Sequence, residues 1–171
     1  MANLYVQHAY GEVLSREALD PVTREAVAIA SLMNSGNYTQ SILEHIKAYL
    51  NLGGKPEALL EMCFIAMAVM GFPSAINTIG KIRATLKERG IEIAWVPEAT
   101  DDGTERYLMG ARYMIANTEG GLQDLQGLTE KNPAFAKILA SYGYGDIMTR
   151  DGLDARTKTL TTLTTQGNAQ S

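Results

Sequence analysis

The sequence predicts an all-α protein. Three observations carry this: strand-like alternation is sparse, helix starts and stops recur along the chain, and a polar turn leading into a capped helix occurs twice. With 171 residues, 46% of them hydrophobic, there is material for one ordinary domain or two small ones around a real core.

The elements follow in order. Asp20-Pro21 sets an N-cap before a proline at the first helical position, so a helix is expected from there to about Met33, stopped near Asn34-Ser35-Gly36. A second is expected from Tyr38 to Leu52, closed by Gly53-Gly54. Pro56 opens a third, to about Met70. Gly71-Phe72-Pro73 breaks it, and a fourth runs from Ser74 to about Arg89, ahead of Gly90. Ile91-Glu92-Ile93-Ala94-Trp95 alternates like a short strand, but Pro97 and the acids Glu98, Asp101 and Asp102 read as a linker. Further helices are expected over 105–116, from Pro133 to Tyr144 and from Asp154 towards Thr165, with Gly120-Gly121 and Gly127 marking an irregular connection. The expected organisation is a first unit at 1–90, a linker at 91–104 and a partial second unit at 105–171.

Charge and composition exclude several classes. The net charge is -4, and Lys and Arg are scattered singly among acids, which describes solvated helix faces and not a nucleic-acid surface. No apolar run reaches the roughly 18 residues of a membrane span. The longest, Met62 to Phe72, suits a buried helix, and the methionines within it suit a core or an oligomer interface. The first residues lack the basic and apolar regions of a signal peptide, so a cytoplasmic location is expected. The single cysteine, Cys63, allows no intrachain disulfide and lies in an apolar stretch, where a small buried hydrophobe is expected ahead of a reactive thiol. No metal-ligand spacing and no strand–glycine–helix phosphate loop occurs, so no metal and no cofactor are expected.

The most informative feature is an internal repeat. Residues 10–24, YGEVLSREALDPVTR, align without a gap on residues 144–158, YGDIMTRDGLDARTK, at a constant offset of 134. Tyr, Gly, Arg, Leu, Asp and Thr are identical, and most other pairs are conservative. Each copy reads as a glycine-stopped helix end, a polar turn and an Asp-capped helix. Arg16 and Arg150 fall in the turn, where they are expected to hydrogen-bond free carbonyls, with binding of an acidic ligand as the alternative. Arg24 and Lys158 are expected to make surface salt bridges, or to attract a carboxylate. The repeat is lopsided: copy one continues into three further helices, and copy two has a helical lead-in that copy one lacks. Either the chain is part of a longer tandem protein, or the two copies complete each other within or between subunits.

These residues resemble a known family. Leu19-Asp20-Pro21-Val22-Thr23-Arg24-Glu25, a helix bearing His45, then Asn51-Leu52-Gly53-Gly54, Glu57-Ala58-Leu59-Leu60-Glu61 and Gly71-Phe72-Pro73 are similar to the carboxymuconolactone decarboxylase and alkylhydroperoxidase (AhpD-like) family. The resemblance covers roughly 8–89 and, less completely, 105–165. It implies an AhpD-like helical fold built around an antiparallel helix pair, and homo-oligomers, trimers or hexamers. In the peroxidase branch a CxxC precedes the histidine by seven and four residues. Here those positions are Tyr38 and Ser41, so a dithiol mechanism has no thiol to attack or resolve. The decarboxylase branch needs no CxxC.

The candidate catalytic residues are His45 and Glu25. Helical spacing puts Tyr38, Ser41, Ile42, His45 and Tyr49 on one face, where a half-buried imidazole with polar neighbours suits general acid–base work. A core histidine satisfied by a local hydrogen bond is the alternative. Glu25 matches the family's relay glutamate and would orient the imidazole; otherwise it is a first-turn glutamate favoured by the helix dipole. Its counterpart in copy two is Thr159. Tyr38, Ser41, Arg24 and His8 are candidates for substrate binding. The resemblance thus implies a cofactor-independent decarboxylase, lyase or isomerase of aromatic-compound catabolism, acting on a small carboxylated lactone of the 4-carboxymuconolactone type. The competing expectation is a non-catalytic helical scaffold or small-ligand-binding protein. The expected partners are a small carboxylate or lactone and further copies of the chain, with no nucleic acid and no membrane.

Overall fold

A computed structural model describes residues 4, 7–13, 15–33, 39–93 and 104–168. No strand occurs among them; the fold is all-α. A π-helical segment, Gln7–Val13, leads through a turn into α1 (Pro21–Met33), followed by α2 (Thr39–Asn51), α3 (Pro56–Met70) and α4 (Phe72–Glu88). Then come α5 (Thr104–Asn117), α6 (Gly121–Lys131), α7 (Pro133–Ile138), a second π-helical segment (Leu139–Met148) and α8 (Ala155–Asn168).

The punctuation read from the sequence sets most of these boundaries. Pro56 begins α3 just after an extended Lys55. Gly71 ends α3 and starts α4 in a single residue, at φ 88, a left-handed value that side chains resist. Pro73 then falls within the first turn of α4, where its missing N–H leaves no helical bond unmade. The helix therefore starts at Phe72, two residues before the expected Ser74.

Three expectations need correction. Residues 121–131, read as an irregular connection, form α6. Gly120 makes the sharp left-handed turn, at φ 73, and a Cβ on Gly121 would overlap the Met114 carbonyl, so both glycines serve the tight joint with α5. Beyond them Leu122, Leu125 and Leu128 recur at helical spacing, Leu125 is buried, and Gly127 is carried inside the helix at about 1 kcal/mol. Second, the strand suggested at Ile91–Ile93 is absent there: these residues have no regular structure, and Ile91 and Ile93 pack onto the first core. The rest of that stretch and Pro97 lie outside the described residues. Third, the helix expected to end at Tyr144 continues to Met148 with π-helical turns. Its widened backbone presses on α5. A Cβ at Gly110 would meet the Ala140 carbonyl, and one at Gly145 the Arg106 carbonyl.

Two cores result. The first gathers Ile29 of α1, Ile42 and Ile46 of α2, Leu59 and Met62 of α3 and Ile82 of α4, all fully buried; each large side chain contributes about 2 kcal/mol relative to exposure. The second is smaller: Met114, Leu125 and Ala140, with Tyr107, Ala111 and Tyr144 packed against it. α8 packs on both α1 and α3 and joins the halves.

The repeat is visible atom by atom. The Thr23 backbone N–H donates to Asp20 Oδ1 at 3.0 Å and the Thr157 N–H to Asp154 Oδ1 at 3.0 Å. The two threonine hydroxyls donate to the second carboxylate oxygen at 2.5 and 2.6 Å. Both caps hold their carboxyl below its ordinary value, chiefly through the threonine hydroxyl and then its backbone N–H.

Candidate active site at His45 and Glu25

The two turns use their basic residues differently from expectation. The carbonyls are capped not by Arg16 and Arg150 but by Arg24 and Lys158, one turn into the following helix. Arg24 Nη2 donates to the Arg16 carbonyl; Lys158 Nζ donates to the Arg150 carbonyl and, at 2.9 Å, to that of Met148. A side chain in the first turn reaches back over the loop, whereas one in the loop itself points away from it. Lys158 is buried, and desolvation holds its ammonium below the usual lysine value. Arg150 is thereby released to cross to α3. Its Nε and Nη2 donate to Glu61 at 2.7 and 2.9 Å, and its guanidinium lies 4.7 Å above the Phe64 ring. Arg16 is exposed.

Glu25 and His45 come together across the α1–α2 interface. His45 Nδ1 lies 2.7 Å from Glu25 Oε2, with 26% and 13% of the two side chains exposed. An ionised carboxylate only accepts, so Nδ1–H donates, which fixes the tautomer and directs Nε2 away from Glu25. The pair stands at the edge of the first core: Ala26, Ile42 and Ile46, adjacent in sequence or one turn away, are buried. Packing thus fixes both backbones while a quarter of the imidazole reaches solvent. A proton carrier held by one ring nitrogen and open at the other is what this arrangement provides.

The other candidates are placed as follows. Ser41, one turn before His45, is exposed. Arg24 is engaged in the turn. His8 is on the exposed face of the first π-helical segment, 3.1 Å from Glu12. Tyr38 lies outside the described residues. Cys63 is fully buried in α3, and desolvation pushes its thiol up to about 12, so it behaves as the small core residue expected. Among the described residues no group of His, Cys, Asp and Glu converges as a metal cage, and no helix is long and apolar enough to cross a membrane.

Two features escaped the sequence reading. The Arg150–Glu61 pair joins residues 89 apart, and no local spacing announces it. A cavity of about 800 Å3 opens between α3, α5, the second π-helical segment and α8. Thr159, the repeat counterpart of Glu25, stands in its wall. A second cavity, about 500 Å3, lies at the end of α4 beside Arg83 and Lys87. Neither is lined by His45 or Glu25.

Residues 1–82 match the sequence profile of the Carboxymuconolactone decarboxylase family. No curated protein matches the chain.

Proposed function

As residues 1–82 of this chain belong to the carboxymuconolactone decarboxylase family, we propose that it is a cofactor-independent carboxy-lyase, or a related lyase or isomerase, for a small carboxylated lactone of the 4-carboxymuconolactone type. The observation that carries the reading is the 2.7 Å bond between His45 Nδ1 and Glu25.

The chemistry asks little of the protein. The bond between the ring carbon and the carboxylate breaks, its electron pair enters the conjugated lactone, and carbon dioxide leaves. A proton then adds to the carbanionic carbon. In this reading His45 Nε2 delivers that proton and is recharged from water, and Glu25 orients the ring and balances the imidazolium. Ser41, one turn before the histidine and exposed, lines the substrate's approach. Arg24 contributes by holding the turn ahead of Glu25. Exposed apolar residues on α4 (Phe72, Ile76) and α5 (Leu108, Ile115) fit burial between copies of the chain, and a homo-oligomer, trimer or hexamer, is part of the proposal.

The test is carbon dioxide release from 4-carboxymuconolactone by the purified protein beside His45→Ala. Turnover is expected, with a loss of about 10²–10⁴-fold in the variant. Unchanged turnover in the variant excludes His45. A second reading, a ligand-binding member without chemistry, is favoured by one observation: the larger cavity belongs to the copy that has Thr159 in place of the glutamate. Stable binding of a small molecule with no turnover of any carboxylated lactone supports it.

A further inference from the structure

α8 is the repeat counterpart of α1, yet what covers the two helices differs. On α1, Glu25 bonds His45, and Ile29 is buried with Ile42 and Ile46 of α2. The counterparts of Glu25 and Ile29 are Thr159 and Leu163. Among the described residues no counterpart of α2 lies over them, and Leu163 is 59% exposed. The two line the cavity of about 800 Å3, whose other walls come from α3, α5 and the second π-helical segment. That volume is within the roughly 300–1,000 Å3 of small-molecule sites, and four walls make a concave pocket, not a flat face.

The lining chemistry is specific. Ile65 and Val69 of α3 form an aliphatic side. The polar groups include Tyr113, Tyr144, Asn117, Thr118, Thr159 and Thr162, and none of the described lining residues is an acid, a lysine, an arginine or a histidine. Burial pushes the Tyr113 hydroxyl up, so it stays neutral. An ion placed here would lose its water without gaining a counter-charge. Three of the polar groups have already used a donor on the protein. Thr159 and Thr162 give their hydroxyl hydrogens to the Ala155 and Lys158 carbonyls, both at 2.9 Å, and Asn117 Nδ2 donates to the Tyr113 carbonyl at 3.0 Å. The two threonines therefore offer a ligand only oxygen lone pairs, and Asn117 offers its carbonyl oxygen and one remaining N–H. The Tyr113 and Tyr144 rings, with centroids 6.2 Å apart, add flat surfaces suited to a planar molecule.

We propose that this cavity binds an uncharged, planar small molecule that donates hydrogen bonds, such as a phenol or an aromatic amide. The cavity lies where the second copy of the repeat has Thr159 in place of the glutamate. It is separate from the His45–Glu25 pair and does not rest on the decarboxylase reading.

The probes are para-hydroxybenzamide and its anionic counterpart para-hydroxybenzoate, added to the full-length protein up to about 10 mM, where an affinity of roughly 4 kcal/mol is already detectable. Binding is followed by methyl NMR shifts of Ile65, Leu139 and Leu163. The amide is expected to shift these methyls and to bind about tenfold more tightly than the carboxylate. Leu163→Trp, at an exposed position, is expected to abolish the shifts of the Ile65 and Leu139 methyls. Thr159→Lys, also exposed, is expected to reverse the preference in favour of the carboxylate. No shift with either probe overturns the proposal. So does equal binding of both, binding that ignores both variants, or a stable oligomer in which another copy's helix fills the cavity and excludes the amide. His45→Ala, at a residue that is not part of the cavity's lining, separates this result from the fate of the proposed catalysis.

Discussion

At the scale of single residues, partners decide roles. His45 and Glu25 lie 20 residues apart on different helices, and only the packing of α1 on α2 brings them to 2.7 Å. The pair was legible because the resemblance named both residues; helical spacing alone left His45 open between a packed histidine and a proton carrier. Arg150 was legible only as a turn residue, because its partner Glu61 is far away in sequence and the repeat offers Arg16 no such contact. Cys63 shows the reverse case, in which local composition was enough: a cysteine among Leu59, Met62 and Ala66 is buried as they are. Its thiol, pushed up to about 12, is expected to resist iodoacetamide in the native protein at mildly alkaline pH and to react stoichiometrically after denaturation. Mass spectrometry of the two samples checks this, and fast native labelling would place Cys63 at an accessible site.

At the scale of elements, caps and glycines define the fold more than helix propensity does. Asp20 and Asp154 were read correctly as N-caps because the Asp-x-x-Thr spacing sets both donors against one carboxylate. Both carboxyls titrate below their ordinary value of 3.8 when folded, so their stabilisation is fully present above that value and is lost as pH falls through the lower folded values. Asp154→Ala is therefore expected to cost about 1 kcal/mol at neutral pH, and the difference from wild type should shrink in strong acid. Urea unfolding across that range checks it; a difference that stays constant with pH would contradict the ionised cap. The glycines of the second unit were harder to read. Gly120, Gly121 and Gly127 resembled a loop, yet two of them form a joint and one rides in a helix. Gly110, mid-helix and unremarked, has α5 resting on the Ala140 carbonyl. Gly110→Val is expected to push α5 off the second π-helical segment, with a loss of at least about 3 kcal/mol. A melting temperature unchanged from wild type would show that the two backbones are not in contact.

At the scale of the whole molecule, the repeat explains both the order and the asymmetry. The offset of 134 predicted two equivalent turns, and the structure has them, with equivalent caps and equivalent carbonyl donors. What the sequence did not reveal is how the units are fastened. α8 lies against α1 and α3, and Arg150 locks onto Glu61 where both side chains are mostly buried, 20% and 13% exposed. Arg150→Ala leaves the Glu61 carboxylate without its counter-charge, and a destabilisation of about 2–3 kcal/mol is expected. The double variant with Glu61→Gln should recover part of it, because the stranded charge is removed as well; chemical denaturation of the three proteins reads this directly.

The most direct measurement is a double-variant cycle on turnover of 4-carboxymuconolactone, with wild type, His45→Ala, Glu25→Gln and the combination assayed for carbon dioxide release. If the glutamate acts through the imidazole, Glu25→Gln alone slows the reaction, and adding it to His45→Ala costs nothing further. Losses that simply multiply in the combined variant, or a wild-type protein that releases no carbon dioxide, would contradict a His45–Glu25 unit as the seat of catalysis.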